Sequence, residues 1–255
     1  MEKTLNKRVL IQAHRGASAY APENTLAAFR LAAEMHADGV ELDVHLTKDG
    51  VPVVNHNNYV NDTSDGEGVI KDMTFDELRK FNFAFRYNDT KFVDKYGFQP
   101  IPALEEVYEL LGPTGLFVNV ELKSAEDELL KKCAELVDKC GMRGKVLYSS
   151  FDHRALMRMH EYDPTVMTAP LYAQRILFPW VYASLLGATA IHPDWGQIFD
   201  IPEMVHECHV RGVRIHPWTV DGEDAMRRLI EAGVDALITD VPDIALKVAG
   251  EYFEI

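Results

Sequence analysis

Val9-Leu10-Ile11-Gln12-Ala13-His14-Arg15-Gly16 opens the regular part of the chain. A short run of β-forming residues ends in an imidazole, a guanidinium and a single glycine. An open doubly wound sheet would usually carry a glycine-rich phosphate loop at this point, and Gly16 is the only glycine there. Outward from residues 9–13, further short β-rich runs recur at 40–44, 116–121, 145–149, 166–171, 188–191, 213–216 and 236–239. Helical patterns separate most of them, at 25–35, 103–111, 126–140, 153–161, 202–211 and 223–232. Strand–helix alternation forces parallel strands with crossover helices. Eight repeats in 255 residues therefore predict an α/β fold, a closed TIM-type (β/α)8 barrel forming one domain over residues 1–255.

One segment breaks the rhythm. Residues 57–99 follow the second strand and carry Asp65-Gly66 and Glu67-Gly68 turns together with Phe81, Phe83, Phe85, Tyr87, Phe92, Tyr96 and Phe98. They read as a small subdomain inserted on the barrel rim, its aromatics forming a satellite core, with a substrate lid as the alternative.

Composition narrows the partners. Hydrophobic residues make up 47% and charged residues 26%, which suits a soluble globular protein with a sizeable core. A formal net charge of −14 with no basic cluster argues against nucleic acid and against anionic lipid surfaces. A small anionic substrate remains acceptable, because a dication with Arg15 and a lysine reverses the potential locally. Cys133, Cys140 and Cys208 are odd in number and lack paired metal spacing, so they read as buried free thiols. The polar residues 1–8 run straight into the first apolar run, leaving no room for a signal peptide, and no stretch reaches the roughly 18 apolar residues of a membrane span. The expected location is the cytoplasm; a homo-oligomer is a possible assembly.

The chemistry gathers at strand ends. Glu41 and Asp43 stand two apart on one predicted strand and so share a face, and Glu121 ends the next barrel strand. Three converging carboxylates cannot all stay ionised without either raised pKa values or a cation; a hard divalent ion resolves the repulsion, and an all-oxygen set favours Mg2+ or Ca2+. His14 closes the first strand and His56 follows the strand-like run 51–55, giving two imidazoles for proton transfer near neutral pH. Arg15 offers a planar fork for phosphate and Lys123 a point charge. Asn24, ahead of Thr25, reads first as a helix N-cap and second as a metal-shell or phosphate contact. His192 and His216 read as structural, with substrate contact the lesser reading.

His14-Arg15-Gly16, Pro22-Glu23-Asn24-Thr25, the run 39–43, Asp49-Gly50 with His56, Val120-Glu121-Leu122-Lys123, Ser149-Ser150-Phe151-Asp152, Trp218-Thr219-Val220 and the run 233–240 together resemble the glycerophosphodiester phosphodiesterase family, in order and over nearly the whole chain. The resemblance implies a TIM-type barrel that hydrolyses deacylated phospholipids, such as glycerophosphocholine, to glycerol 3-phosphate and an alcohol. It implies that Glu41, Asp43 and Glu121 hold the ion, that His14 and His56 are the acid and base, which we assign as His14 the base and His56 the acid, and that Arg15 and Lys123 hold phosphate. It also implies attack by the substrate's own 2-hydroxyl through a cyclic phosphate, with Trp218 and Phe151 against the glycerol carbons; for these two aromatics plain packing is the competing account. Three positions depart from the family's usual pattern: Asn57 stands for Asp, Asp62 for Arg and Asp221 for Asn. The rival readings are a phospholipase C or D acting on intact lipid, which needs an apolar docking rim, and a non-catalytic phosphodiester-binding barrel.

Overall fold

A computed structural model describes residues 8–85 and 91–253. The expectations for the polar residues 1–7 and for Tyr87 lie outside the described residues. The strands are β1 Leu10–His14, β2 Gly39–Leu46, β3 Pro52–Val54, β4 Phe117–Leu122, β5 Val146–Ser150, β6 Met167–Tyr172, β7 Ala190–Pro193, β8 Arg214–Ile215 and β9 Ala236–Thr239. The α-helices are α1 Leu26–Glu34, α2 Phe75–Leu78, α3 Lys91–Tyr96, α4 Leu104–Leu111, α5 Asp127–Lys139, α6 His153–Tyr162, α7 Pro179–Leu186, α8 Gln197–Asp200, α9 Met204–Val210, α10 Glu223–Ala232 and α11 Pro242–Ala249. α7, which sequence periodicity did not reveal, is apolar at almost every position and so shows no 3.6-residue stripe.

Eight parallel strands run in the order β8-β7-β6-β5-β4-β2-β1-β9, while β3 folds back antiparallel on β2. The two edges meet through backbone bonds from Asp235 N–H to Ile215 O (3.0 Å), Ile238 N–H to Pro217 O (3.1 Å) and Val220 N–H to Ile238 O (2.9 Å), giving a nearly closed barrel. Alternation along β2 explains why it sits there: Val40, Leu42 and Val44 are fully buried against the helical layer, which leaves Glu41 and Asp43 on the other face. α5 buries Leu129, Leu130, Cys133 and Val137, one helical stripe, against the same layer. A second apolar cluster joins β8 and β9 to α7, α9, α10 and α11.

Inside the barrel polarity rises along the strands. Leu147, Ala169 and Ala190 pack with Phe117 and Met167 at the amino-terminal end. Above them lie Gln12, Asn119, Ser149, His192 and His216, all buried, with Ser149 Oγ donating to Asn119 Oδ1 at 2.9 Å and His192 Nε2 bonded to His216 Nδ1 at 3.0 Å. The two histidines belong to this packed polar layer. Gly39 needs to lack a side chain, because a Cβ there would lie 2.4 Å from the Phe117 ring.

Within 57–99, Phe81 and Phe83 pack with Val53, Val60, Ile70, Leu78 and Ile101 in an apolar cluster separate from the barrel's, whereas Phe98 is exposed. Tyr96 Oη reaches back to Tyr20 O at 2.9 Å, tying α3 to the β1–α1 loop. Cys133 and Cys208 are buried free thiols, but Cys140, at the end of α5, is only half-buried, because it lies on the rim of that helix's apolar stripe. No helix among the described residues is long and apolar enough to cross a membrane.

Candidate active site

Strand register assembles the acidic cluster. His14 pairs with Glu41 across β1 and β2, and Asp43 pairs with Glu121 across β2 and β4, so four strand-end side chains meet at the carboxyl ends of adjacent staves. One oxygen from each of Glu41, Asp43 and Glu121 lies within 4.8 Å of the others, and all three residues are buried. A hard cation about 2.1–2.5 Å from each oxygen spans such a spread. Burial raises the Glu41 carboxyl well above its usual range, and the charges of Asp43 and Glu121 add to this against Arg15 and Lys123. Burial likewise pushes Glu121 up to about 7, opposed by Lys123 and assisted by Asp43. Burial works against a charged Asp43 too, but Lys123 and Arg15 hold it well below the usual carboxylate range. The protein alone leaves this cluster short of positive charge, and the donor set therefore fits a divalent ion.

Lys123, just beyond β4, places Nζ 2.8 Å from Asp43 Oδ1 and 2.5 Å from Glu121 Oε1. Arg15 donates from Nη1 to Glu23 Oε1 at 2.9 Å and from its backbone N–H to Glu41 Oε2 at 3.1 Å, with Nε 3.4 Å from Asp43. Arg15 and Asn24 both adopt positive φ, 54° and 57°, strain that the site's hydrogen bonds must hold in place. Asn24 is not the N-cap. Thr25 is, its Oγ1 accepting from Ala28 N–H at 3.3 Å, because Asn24 is turned away into the left-handed region. Its amide donates instead to Asp43 Oδ2 at 2.8 Å, next to the acidic cluster.

His14 and His56 line one cleft with Arg15, Glu41 and Glu121, and Phe151 and Trp218 form its apolar wall, their rings edge-to-face at 5.5 Å. His14 Nδ1 lies 2.6 Å from Asp240 Oδ1, and Nε2 lies 3.8 Å from Glu41. Burial alone would raise the Asp240 carboxyl, but the hydrogen bond from His14 holds it below its usual value, so the carboxylate accepts and Nδ1 carries the proton. Asp221 Oδ1 accepts from Asp240 N–H at 2.9 Å and Thr239 Oγ1 at 3.1 Å. Sequence reasoning gave Asp240 no role, although the run 233–240 was among the matching motifs; 226 positions separate the partners, and no local signal joins them. Burial lowers His56 to about 4, with Asp43 opposing and Arg15 and Lys123 adding, so its imidazole is neutral near pH 7. His45, not singled out in the sequence, bonds the His56 carbonyl through Nε2 at 3.2 Å. A larger cleft at the amino ends of the strands, lined by Arg8, His206 and Arg214 among others, brings together no comparable set.

The sequence model of the glycerophosphoryl diester phosphodiesterase family matches residues 14–244. The chain belongs to this family. A glycerophosphodiester phosphodiesterase of Caldanaerobacter subterraneus subsp. tengcongensis is 41% identical over 243 residues, which cover 92% of this chain and 96% of the relative. One from Bacillus altitudinis is 35% identical, covering 94% and 98%. Among solved structures, an Oleispira antarctica phosphodiesterase in complex with the product sn-glycerol-3-phosphate superposes with a TM-score of 0.87 at 27% identity, covering 95% of this chain and 97% of that one. The chain is accordingly an enzyme, a phosphoric diester hydrolase of the glycerophosphodiester phosphodiesterase family.

Proposed function

We propose that the enzyme converts glycerophosphodiesters to sn-glycerol 3-phosphate and an alcohol with one divalent ion, Mg2+ or Ca2+, held by Glu41, Asp43 and Glu121. The observation that carries this reading is the cluster of these three carboxylates, two of which, Glu41 and Glu121, line one cleft with His14, His56 and Arg15. The product carried by the Oleispira antarctica relative supports glycerol phosphate as the half that stays bound. When bound, the ion supplies charge neutralisation at a phosphoryl oxygen and lowers the pKa of an adjacent hydroxyl.

Arg15 and Lys123 bind the phosphate, and Phe151 and Trp218 face the glycerol carbons. His14 Nε2 takes the proton of the substrate's 2-hydroxyl, and Asp240 on Nδ1 stabilises the imidazolium that forms. The 2-oxygen attacks phosphorus and the bond to the headgroup oxygen breaks. His56 protonates that leaving oxygen, its basicity raised when the phosphodiester anion offsets Arg15 and Lys123. Water then opens the cyclic phosphate. Asn24 steadies Asp43 from behind.

Release of sn-glycerol 3-phosphate from glycerophosphocholine tests the reading. Chelation is expected to abolish turnover and added Mg2+ or Ca2+ to restore it, and His14→Ala to lower kcat by about 10^3-fold. Turnover that survives both treatments overturns the assignment, and intact turnover of the 2-deoxy substrate overturns the cyclic route.

A further inference from the structure

We propose that the alcohol half of the diester lies in a second cavity beside the cleft, and that this cavity selects polyol headgroups, glycerol or inositol, over choline. This rests on the hydrolytic reading above. The cavity, of about 220 Å3, opens between the end of β2, the loop after β4 and the insertion, and its polar lining is His45, Asn58, Lys71, Lys123, Ser124 and Glu126. At roughly 30 Å3 per water it has the room of about seven waters, enough for a polyol ring. Its walls are tied together by backbone bonds, from Ile70 N–H to Asn58 O at 2.9 Å and from Lys123 N–H to Val44 O at 3.2 Å.

Two contacts join the cavity to the reacting groups. Lys123 lines it while its Nζ lies 2.8 Å from Asp43 Oδ1 and 2.5 Å from Glu121 Oε1. His45 lines it while its Nε2 bonds the His56 carbonyl at 3.2 Å. In the hydrolytic reading His56 protonates the leaving oxygen, so the headgroup carried by that oxygen departs on this side. Phe151 and Trp218, which face the glycerol carbons, line the cleft and not the cavity. The two halves of the diester therefore have separate places, with the phosphate between them at Lys123.

The lining selects the headgroup. A quaternary ammonium is held against aromatic faces, and among the described residues no phenyl, phenol or indole ring lines this cavity. Lys71 repels such a cation as well. Among the described residues the exposed side chains of Asn58, Lys71 and Glu126 have no hydrogen-bond or ion-pair partner. Ser124 Oγ, half-buried, accepts from the Glu126 N–H at 3.4 Å and keeps its own proton to donate. A polyol satisfies all four, because its hydroxyls accept from Lys71, Asn58 and Ser124 and donate to Glu126. Asn58 also stands in the loop that carries Asn57 and Asp62, two of the departures from the family's usual residues.

The test measures release of sn-glycerol 3-phosphate, by the enzyme loaded with Mg2+ or Ca2+, from glycerophosphoinositol, glycerophosphocholine and the methyl ester of glycerol 3-phosphate, whose headgroup is a bare methyl. kcat/KM is expected to be about tenfold higher for the inositol diester than for the choline diester. Lys71→Met with Glu126→Gln is expected to lose about tenfold on the inositol diester and to hold the methyl diester within about twofold, with an unchanged melting temperature. Equal kcat/KM for the inositol and choline diesters overturns the inference. So do equal losses by the variant on all three substrates, which would show it acting on the Lys123 loop rather than on the headgroup. If no diester is turned over, the hydrolytic reading falls, and calorimetric binding judges the cavity: a Kd about tenfold lower for the inositol diester than for the choline diester, lost in the variant, upholds it, and equal affinities overturn it.

Discussion

Asn57 and Asp62, two of the three positions that depart from the family's usual residues, turn out to be partners: Asn57 Nδ2 donates to Asp62 Oδ2 at 2.8 Å. The loop between them is held from inside by Asn55, which donates to Asn57 O at 2.7 Å and accepts from Thr63 Oγ1 at 2.8 Å. Asp and Arg at these two places would form an ion pair across the same loop, so the departures keep the clasp while changing its chemistry. The clasp sits next to His56, whose imidazole must face the cleft. Asn57→Asp alone sets two carboxylates against each other and is expected to lower kcat about tenfold, whereas Asn57→Asp with Asp62→Arg is expected to recover most of that loss. Steady-state kinetics of the four-member cycle checks it; a double variant no better than the single one would show that the pair does not hold His56 in place. The third departure is equally local: Asp221 offers the Asp240 N–H an acceptor oxygen, a role that an Asn side-chain carbonyl would also fill.

At the scale of elements, the site depends on how tightly the β1–α1 loop is drawn onto its helix. Gly16 has φ +80°, and a Cβ there would lie 2.7 Å from the backbone carbonyl carbon of Ala28 in α1. Only glycine meets both demands, and the strained Arg15 beside it depends on the loop keeping this course. Gly16→Ala is expected to cost about 2–4 kcal/mol through strain and overpacking. Denaturant unfolding measures the loss, and a cost below about 1 kcal/mol would show that the loop can relax away from α1.

For the molecule as a whole, burial of titratable groups sets how stability follows pH. Burial, with His216 adding, holds His192 well below the usual imidazole value. Its contribution is therefore complete above about pH 6.5, and is lost as pH falls and only the unfolded chain takes up the proton. Glu121 works in the opposite sense: with its carboxyl raised to about 7, its contribution is complete below the unfolded value of 4.5 and is lost as pH rises through 7. A divalent ion held by the cluster, as proposed, would remove the second loss by pairing with the ionised carboxylates. Added Mg2+ or Ca2+ is expected to raise the melting temperature by about 4–8 °C at pH 8 and by about 1 °C or less at pH 5. Thermal melts with and without chelator check this; equal shifts at the two pH values would place the ion elsewhere.

How much of this was legible in the chain follows from the range of the forces involved. Each of the eight β-rich runs lies within two residues of an observed strand, and the six helical patterns match helices, because alternation and amphipathic stripes are local consequences of which face is buried. The acidic cluster could be anticipated because Glu41 and Asp43 share a strand face and a barrel places β4 beside β2. Asn24 was misread for the same local reason: a short polar residue before a helix looks like a cap, and only the left-handed turn shows that its amide serves Asp43. The His14–Asp240 pair and the Asn57–Asp62 clasp were decided by tertiary structure alone. Barrel closure and loop course bring such groups together from distant positions, and hydrogen bonds and burial act over a few ångströms of space, whatever the separation along the chain.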